Sequence, residues 1–486
     1  SAQKYQYDRL YGASKDLSFN SLWYNLNGGA IESLSSNFSQ WTMMSYVGRI
    51  NYGLMDRYLL TASLRYDGSS RLSEGNKWAL FPSAAIAWRI TEEDFAKNLD
   101  WLSNLKLRFS YGQAGNTNSV SPYASEGTIS GSVYYPFGTS TSVGNLPANI
   151  ANPMLTWERT SEYNVGLDFG FLNQRISGNI EYYNRTTNDL LMKRNIPVHL
   201  GYSSVTSNVG SVRNSGFELQ LNTANIMTKN FAWNTTINLA YNKNEIVSLA
   251  DEEDLSNYSI HLQGMRGRYS DKRFIGKPVD TNWTQNTIGV WQLGEEEEAA
   301  KYGCVPGNFK IKDYNNDGKL TDDDYIIDGK RTPDWTGGMT NMFKIYDFDF
   351  SFHMYFQAGA TQYDRFFENF ALEWNSQNFN NLRTNYWTPE NPSNTMGRPS
   401  QMGSRGNIAY ERTDFLKVSY ITLGYTLNKR LMSKWGLDNA RIYVTVQNPF
   451  ILTKFRGLDP EQPDLTNIGD TDGMTMNALL GVNISF

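Results

Sequence analysis

The chain has 486 residues and a formal net charge of -5, which excludes the basic footprint of a nucleic-acid binder. No apolar run approaches the roughly 18 residues of a spanning helix, and a single cysteine, Cys304, excludes an internal disulfide framework. Aromatic residues nonetheless reach 14% at a mean hydropathy of -0.52. A β-barrel accounts for both, because only alternate residues face lipid and aromatic girdles mark the two interfaces.

Taken in chain order, residues 1–41 read as the remainder of an extracellular loop. Alternating segments then predict strands near 42–53, 57–67, 78–90, 104–114, 159–170, 174–187, 213–223, 231–243, 336–346, 347–358, 415–427, 440–450 and 478–486. The period is clear in several. Val165, Leu167 and Phe169 oppose Asn164, Gly166 and Asp168. Ile176, Ile180 and Tyr182 oppose Ser177, Asn179, Glu181 and Tyr183, and Ile421, Leu423 and Tyr425 oppose Thr422, Gly424 and Thr426. Leu480, Val482, Ile484 and Phe486 share a face at the chain's end, a strand closing on an aromatic residue.

Connections alternate in length. Short turns fall at 54–56, 172–174 and 346–347, and a helical turn is expected within 91–102. Long connections span 115–157, 188–212, 244–335, 359–414 and 451–477. A bilayer sorts loops this way, with short turns on one side and long loops on the other, and loops beyond about 15 residues are otherwise uncommon in compact domains. The reading is all-β: a transmembrane antiparallel barrel with about 13 strands in this chain. The odd count, with the last strand ending on the short-turn side, places the start on the long-loop side. The first residues carry neither a basic nor an apolar signal segment, so the expectation is the carboxy-terminal part of a larger barrel, its plug absent from this chain.

The stretches Asp56–Arg71, Trp78–Ile90, Leu105–Asn116, Phe171–Asn184, Ile421–Leu427 and Arg441–Phe450 resemble consecutive strands of SusC/RagA-type TonB-linked outer-membrane proteins. That resemblance implies a roughly 22-stranded barrel with an amino-terminal plug, coupling to the TonB complex, and a SusD-like surface lipoprotein as lid. It implies a bacterial outer-membrane location, among outer-membrane lipid, and import of a nutrient. An oligosaccharide is the expected cargo, an oligopeptide the alternative, and a passive porin-like channel the second alternative.

Within the 244–335 loop, D-Y-N-N-D-G-K-L-T-D-D-D places Asp313, Asn315 and Asp317 at positions 1, 3 and 5 of a calcium loop. Gly318 takes the sharp turn, Lys319 offers its carbonyl at position 7, and Asp324 stands at position 12, where Glu is usual. Hard oxygen donors at this spacing point to a structural Ca²⁺; the plainer reading is a solvated acidic turn. In the aromatic loop 359–414, Trp374, Phe379, Tyr386 and Trp387 are candidates to stack on sugar rings or fill a partner's pocket, against the plainer role of a small loop core. Tyr134, Tyr135 and Phe137 invite the same two readings, Gln447 and Asn448 are candidate lumen contacts, and Glu295–Glu298 reads as a solvated helix start. His199, His261 and His353 are far apart, and no nucleophile, zincin or phosphate-loop pattern is present. The chain therefore reads as a non-enzyme.

Overall fold

The computed structural model describes all residues except 18, 20, 22–25, 198, 200, 203, 373–383, 400–403, 429–431, 433–435, 464–473 and 486. Its frame is one 14-stranded antiparallel sheet in which each strand pairs with the next in chain order. The strands are β1 (Ala2–Lys15), β2 (Ala30–Leu54), β3 (Tyr58–Ser69), β4 (Trp78–Arg89), β5 (Leu102–Asn116), β6 (Glu158–Phe171) and β7 (Ile176–Asn188). They continue as β8 (Ser211–Met227), β9 (Phe231–Ser248), β10 (Trp335–Ile345), β11 (Phe348–Ala358), β12 (Phe415–Thr426), β13 (Asn439–Thr453) and β14 (Asn477–Ser485).

The thirteen strands expected from alternation are β2 to β14. The assignment of residues 1–41 to loop is corrected. β1 pairs with Ala30–Met44, and β2 runs twelve residues further up than the alternation at 42–53 indicated, from 30 rather than 42. Lys4, Asp8 and Arg9 interrupt the apolar rhythm of β1, and the upper half of β2 is rich in serine. Both stretches lie where a strand rises beyond hydrocarbon and needs no apolar face. β1 makes the strand number even, fourteen rather than thirteen, and runs toward the 16–29 connection at the long-loop end.

Tight turns join β2–β3, β6–β7, β8–β9 and β10–β11 at one end. Three of the four, all but β8–β9, hold left-handed backbone. Met55 and Asp56 adopt φ of 54° and 55°, Tyr346 adopts 53°, and Leu172, Asn173 and Gln174 lie at 53°, 56° and 64°. The 90–101 connection opens with a 3-10 turn, Ile90–Glu92, as expected. All long connections sit at the opposite end.

The two faces differ sharply. Register aligns Tyr52, Leu60, Ile86, Phe109, Val165 and Tyr182 across six strands of the outward face. Aromatic side chains concentrate at both ends of that face. Tyr46, Tyr66 and Trp78 stack near the long-loop end. Trp101 with Phe171, and Trp233 with Phe343, stack near the short turns. Between them lie Leu60, Leu64, Leu80, Ile86 and Leu107, all exposed in the isolated chain. An apolar band between two aromatic belts is the surface a bilayer selects.

Buried side chains gather mostly in the long connections and where these meet the strand ends. Leu72, Ala79, Phe81, Val120, Leu155, Trp157 and Leu191 form one cluster on the inner face at the long-loop end. Trp157 is fully buried, meets Phe81 edge to face at 5.4 Å, and donates Nε1–H to the Lys77 carbonyl at 3.0 Å. Trp157→Ala is expected to cost about 3–5 kcal/mol and to lower the thermal midpoint of the detergent-solubilised full-length protein. Trp101→Ala, on the outward face, should lower it far less. Equal shifts would contradict this placement of the packed core.

Candidate functional site

The inner face is built from the polar half of each strand's alternation. Its charges are laced across glycines. Arg108, Gly166 and Glu181 are register partners on β5, β6 and β7. With no Cβ at Gly166, the Arg108 guanidinium lies directly over it; an added Cβ would meet Nη2 at 2.9 Å. Arg108 thereby donates to Asp168 at 2.7 Å and to Glu181, one strand beyond, also at 2.7 Å. Lys106 reaches Asp168 at 2.6 Å, and Asn164 donates to the other Glu181 oxygen at 3.0 Å. Tyr183 crosses Gly216 in the same manner and donates its hydroxyl to Asn242 at 3.0 Å. Arg441 passes over Gly424 to Asp349.

These pairings neutralise Asp168, Glu181 and Asp349; Glu218, in register with Glu181, has no ion-pair partner among the described residues. Asn179, Gln220, Asn238, Gly338 and Tyr355 stand in one register row across five strands. With Glu181, Glu218 and His353 they line a groove of about 490 Å³. The His353 ring nitrogen Nδ1 shares a 2.8 Å hydrogen bond with the Thr340 hydroxyl. Of the two candidate lumen residues, Gln447 pairs with Tyr420 and Asn477 on the wall. Asn448 instead takes a left-handed φ of 47° and donates to the Thr475 carbonyl, so it shapes a break in β13.

The loops after β9 and β11 interlock. Val290, Phe309 and Ile311 from the first pack with Phe367, Ala371, Trp387, Met396 and Ala409 from the second. Polar ties cross the same boundary: Asn407 donates to Asp328 at 2.8 Å and Thr287 to the Arg405 carbonyl at 2.8 Å. Trp387 is therefore corrected from a ring-stacking candidate to a core residue. It is 6% exposed, and its Nε1–H is taken by Gln292 at 2.9 Å. Tyr386 is exposed. Trp374 and Phe379 lie outside the described residues. The small-core reading fails for Tyr134, Tyr135 and Phe137. They stand on a hairpin of Thr128–Phe137 with Ser140–Asn149 and are exposed by 69%, 61% and 63%. Glu295 precedes the helix Glu296–Lys301, the expected solvated start. The three histidines are not brought together: His353 is on the inner wall, while His261 packs on Tyr314 in a loop.

The 313–324 loop is held by its own carboxylates. Asp313 accepts N–H bonds from Asn316 at 2.6 Å and Gly318 at 2.9 Å, and the Tyr302 hydroxyl at 3.0 Å. Burial pushes the Asp313 carboxyl up, but these donors outweigh it and hold the group below the usual carboxylate range. Asp317 accepts from Lys319 N–H at 2.8 Å. Asp324 is fully buried, and its two oxygens accept from Tyr314 and Thr321 N–H at 2.8 and 2.9 Å. Among the described residues no three His, Cys, Asp or Glu side chains are gathered as metal ligands. The shorter Asp at position 12 closes the loop through backbone donors instead of reaching toward its centre.

A model described as TonB dependent receptor-like, beta-barrel matches residues 2–340. The TonB-dependent receptor SusC of Bacteroides thetaiotaomicron is 35% identical over 457 residues, covering 92% of this chain and 44% of that protein. The TonB-dependent receptor P26 of Formosa agariphila is 33% identical over 471 residues, covering 93% and 47%. The chain thus spans about half the length of the curated relatives it matches. The solved structure of the RagAB peptide transporter superposes with a TM-score of 0.79 at 24% identity, over all of this chain and 52% of that one, a likeness of fold.

Two expectations follow from the geometry. Gly166→Val should displace Arg108 from Glu181 and destabilise the barrel by on the order of 1–3 kcal/mol through the unpaired carboxylate; denaturant midpoints of the full-length protein would register it, and an unchanged midpoint would contradict the lacing. Asp364, fully buried, caps Phe367 N–H at 2.9 Å through one oxygen. Burial pushes its carboxyl up to about 6, with Glu411 adding to the effect and Arg456 opposing it. Its folded value lies above the ordinary 3.8, so packing is fully stabilised below that value and weakens as pH rises through about 6. Hydrogen exchange at 361–371, corrected for intrinsic rates, should speed up across that window, and Asp364→Asn should abolish the dependence.

Proposed function

The chain belongs to the TonB-dependent receptor β-barrel family and is part of a barrel of the bacterial outer membrane, and from that premise we propose that it forms the cargo-guiding wall of an active nutrient importer. The SusC/RagA-type resemblance read from its strands holds. The chain spans about half of its relatives. We therefore assign the plug, the remaining strands and the contact with the TonB complex to the rest of the transporter.

The cargo we propose is an oligosaccharide. The observation that carries this is a groove lined by amides and hydroxyls, with acceptors but, among the described residues, no free cation. Lys106, Arg108, Asp168 and Glu181 satisfy one another, so beside one carboxylate unpaired among the described residues, Glu218, the groove offers cargo the amides of Asn179, Gln220 and Asn238 and the ring of Tyr355. Uncharged, hydroxyl-rich molecules exchange hydrogen bonds with such a surface without stranding a charge. A SusD-like lipoprotein is the proposed lid. The exposed apolar hairpin of residues 128–149, at the long-loop end, is the surface that supports it.

The cation reading takes a narrower form. The side-chain oxygens of Asp313, Asn315 and Asp317 and the carbonyl of Lys319 would hold Ca²⁺, with Asp324 closing the loop rather than ligating. The ion would rigidify the loop by neutralising its carboxylates.

Binding of labelled oligosaccharides to the full-length transporter should weaken about fivefold or more in Asn238→Ala/Tyr355→Ala, the loss of one or two hydrogen bonds. Uptake into cells should cease when the proton gradient is collapsed. Selective binding of oligopeptides would replace the glycan reading, and uptake that survives the collapse would make the barrel a passive channel. Calcium removal should lower the thermal midpoint of the wild type and leave Asp313→Asn/Asp317→Asn unchanged; no response in the wild type would dismiss the ion.

A further inference from the structure

The outward face carries a groove of about 1040 Å³ at the long-loop ends of β11, β12 and β13. Its floor is apolar. Phe356, Leu416 and Leu452 are register partners across the three strands. Leu452 and neighbouring Phe450 are exposed by 60% and 52%. The rim is polar and carries excess positive charge. Arg412 and Lys454 stand on it with Asp414. Asp414 accepts from Arg412 at 2.5 Å, and among the described residues Lys454 is exposed and has no ion-pair partner.

A second outward groove, near the short turns, makes the contrast. It is also apolar, with Leu60, Ile86 and Phe109 beside Tyr58 and Trp88. Its polar tips, however, point to a carboxylate: Tyr58 donates to Glu93 at 2.7 Å and Trp88 donates to the same oxygen at 3.0 Å. Arg57 in turn is taken up by Glu93 and Asp94. Both grooves suit acyl chains. Only the one at the long-loop end offers an uncommitted cation above them.

We propose that this groove is a binding site for a phosphorylated, acylated lipid of the outer leaflet. Its acyl chains lie along Phe356, Leu416 and Leu452, where each buried methylene contributes about 0.8 kcal/mol. Its phosphate sits against Lys454, with Arg412 as the second donor, at the depth where aromatic and basic residues anchor a barrel. The site depends on the outer-membrane location and is independent of what the barrel imports.

The test is lipid retention. The full-length protein, extracted with its membrane partners in mild detergent, is washed extensively and assayed for bound lipid phosphorus and for acyl chains by mass spectrometry. The wild type should keep a phosphorylated lipid. Lys454→Glu should lower the retained amount roughly fivefold or more, and Lys454→Gln should lower it by less, as loss rather than reversal of one interfacial charge predicts. Lys97→Glu, at the short-turn end, should leave it unchanged. Heat-modifiable mobility verifies that each variant is folded, and cargo uptake, measured separately, registers failure of the import reading alone. Equal retention in wild type and Lys454→Glu, or retention of inorganic phosphate without acyl chains, would overturn the proposal.

Discussion

Inside hydrocarbon no water is available to a peptide group, so each backbone N–H and C=O must find a partner in the protein. That constraint organises the molecule. It forces the strands into one antiparallel ladder in chain order, in which irregularities are confined to local register shifts such as those at 353/354 and 418/420. It also explains where the irregular chain goes. The long connections gather at one end, where they build packed clusters of their own around Trp157, Phe309 and Phe274. The opposite end receives turns so tight that Met55, Asp56 and Tyr346 adopt left-handed backbone without glycine.

Once the ladder is fixed, the alternation of each strand divides labour. Outward residues meet lipid and need only apolarity and interfacial aromatics. Inward residues face a confined polar space, where an unpaired charge is expensive. The glycines at 166, 216 and 424 resolve this. Each leaves space on the inner face, so a long neighbour can reach over it and find its partner, along the register row at 166 and 216 and diagonally at 424. Arg108 thereby binds two carboxylates on two strands. Around Gly166 and Gly424 the wall's charges are thereby paired across strands.

Much of this was legible in the residues. Strand positions, the sorting of turns and loops, and the inward side of Asp168 and Glu181 follow from a period of two. β1 escaped because Lys4, Asp8 and Arg9 stand in a strand that rises beyond the apolar band and pairs only with the upper part of β2. Alternation detects burial against lipid, and that part of the strand has none to report. The aromatic loop escaped for a different reason. A tryptophan such as Trp387 has the same letter whether it stacks on a ligand or fills a core, and only the meeting of two loops far apart in sequence decides between them. The lacing at Gly166 carried a readable signal, an inward glycine flanked on adjacent strands by Arg108 and Glu181, but reading it requires the register as well as the pattern.

The central claim is that one face of this sheet meets lipid and the other meets a water-filled interior. Cysteines placed one at a time in a Cys304→Ser background of the full-length protein, in its own membrane, test it directly. Positions 180, 423 and 444 are assigned outward, and 179, 422 and 445 inward. A small water-soluble thiol reagent should label the inward set and spare the outward set, while a lipid-confined quencher should silence probes only on the outward set. Labelling that ignores the alternation, or quenching of both sets alike, would contradict the account.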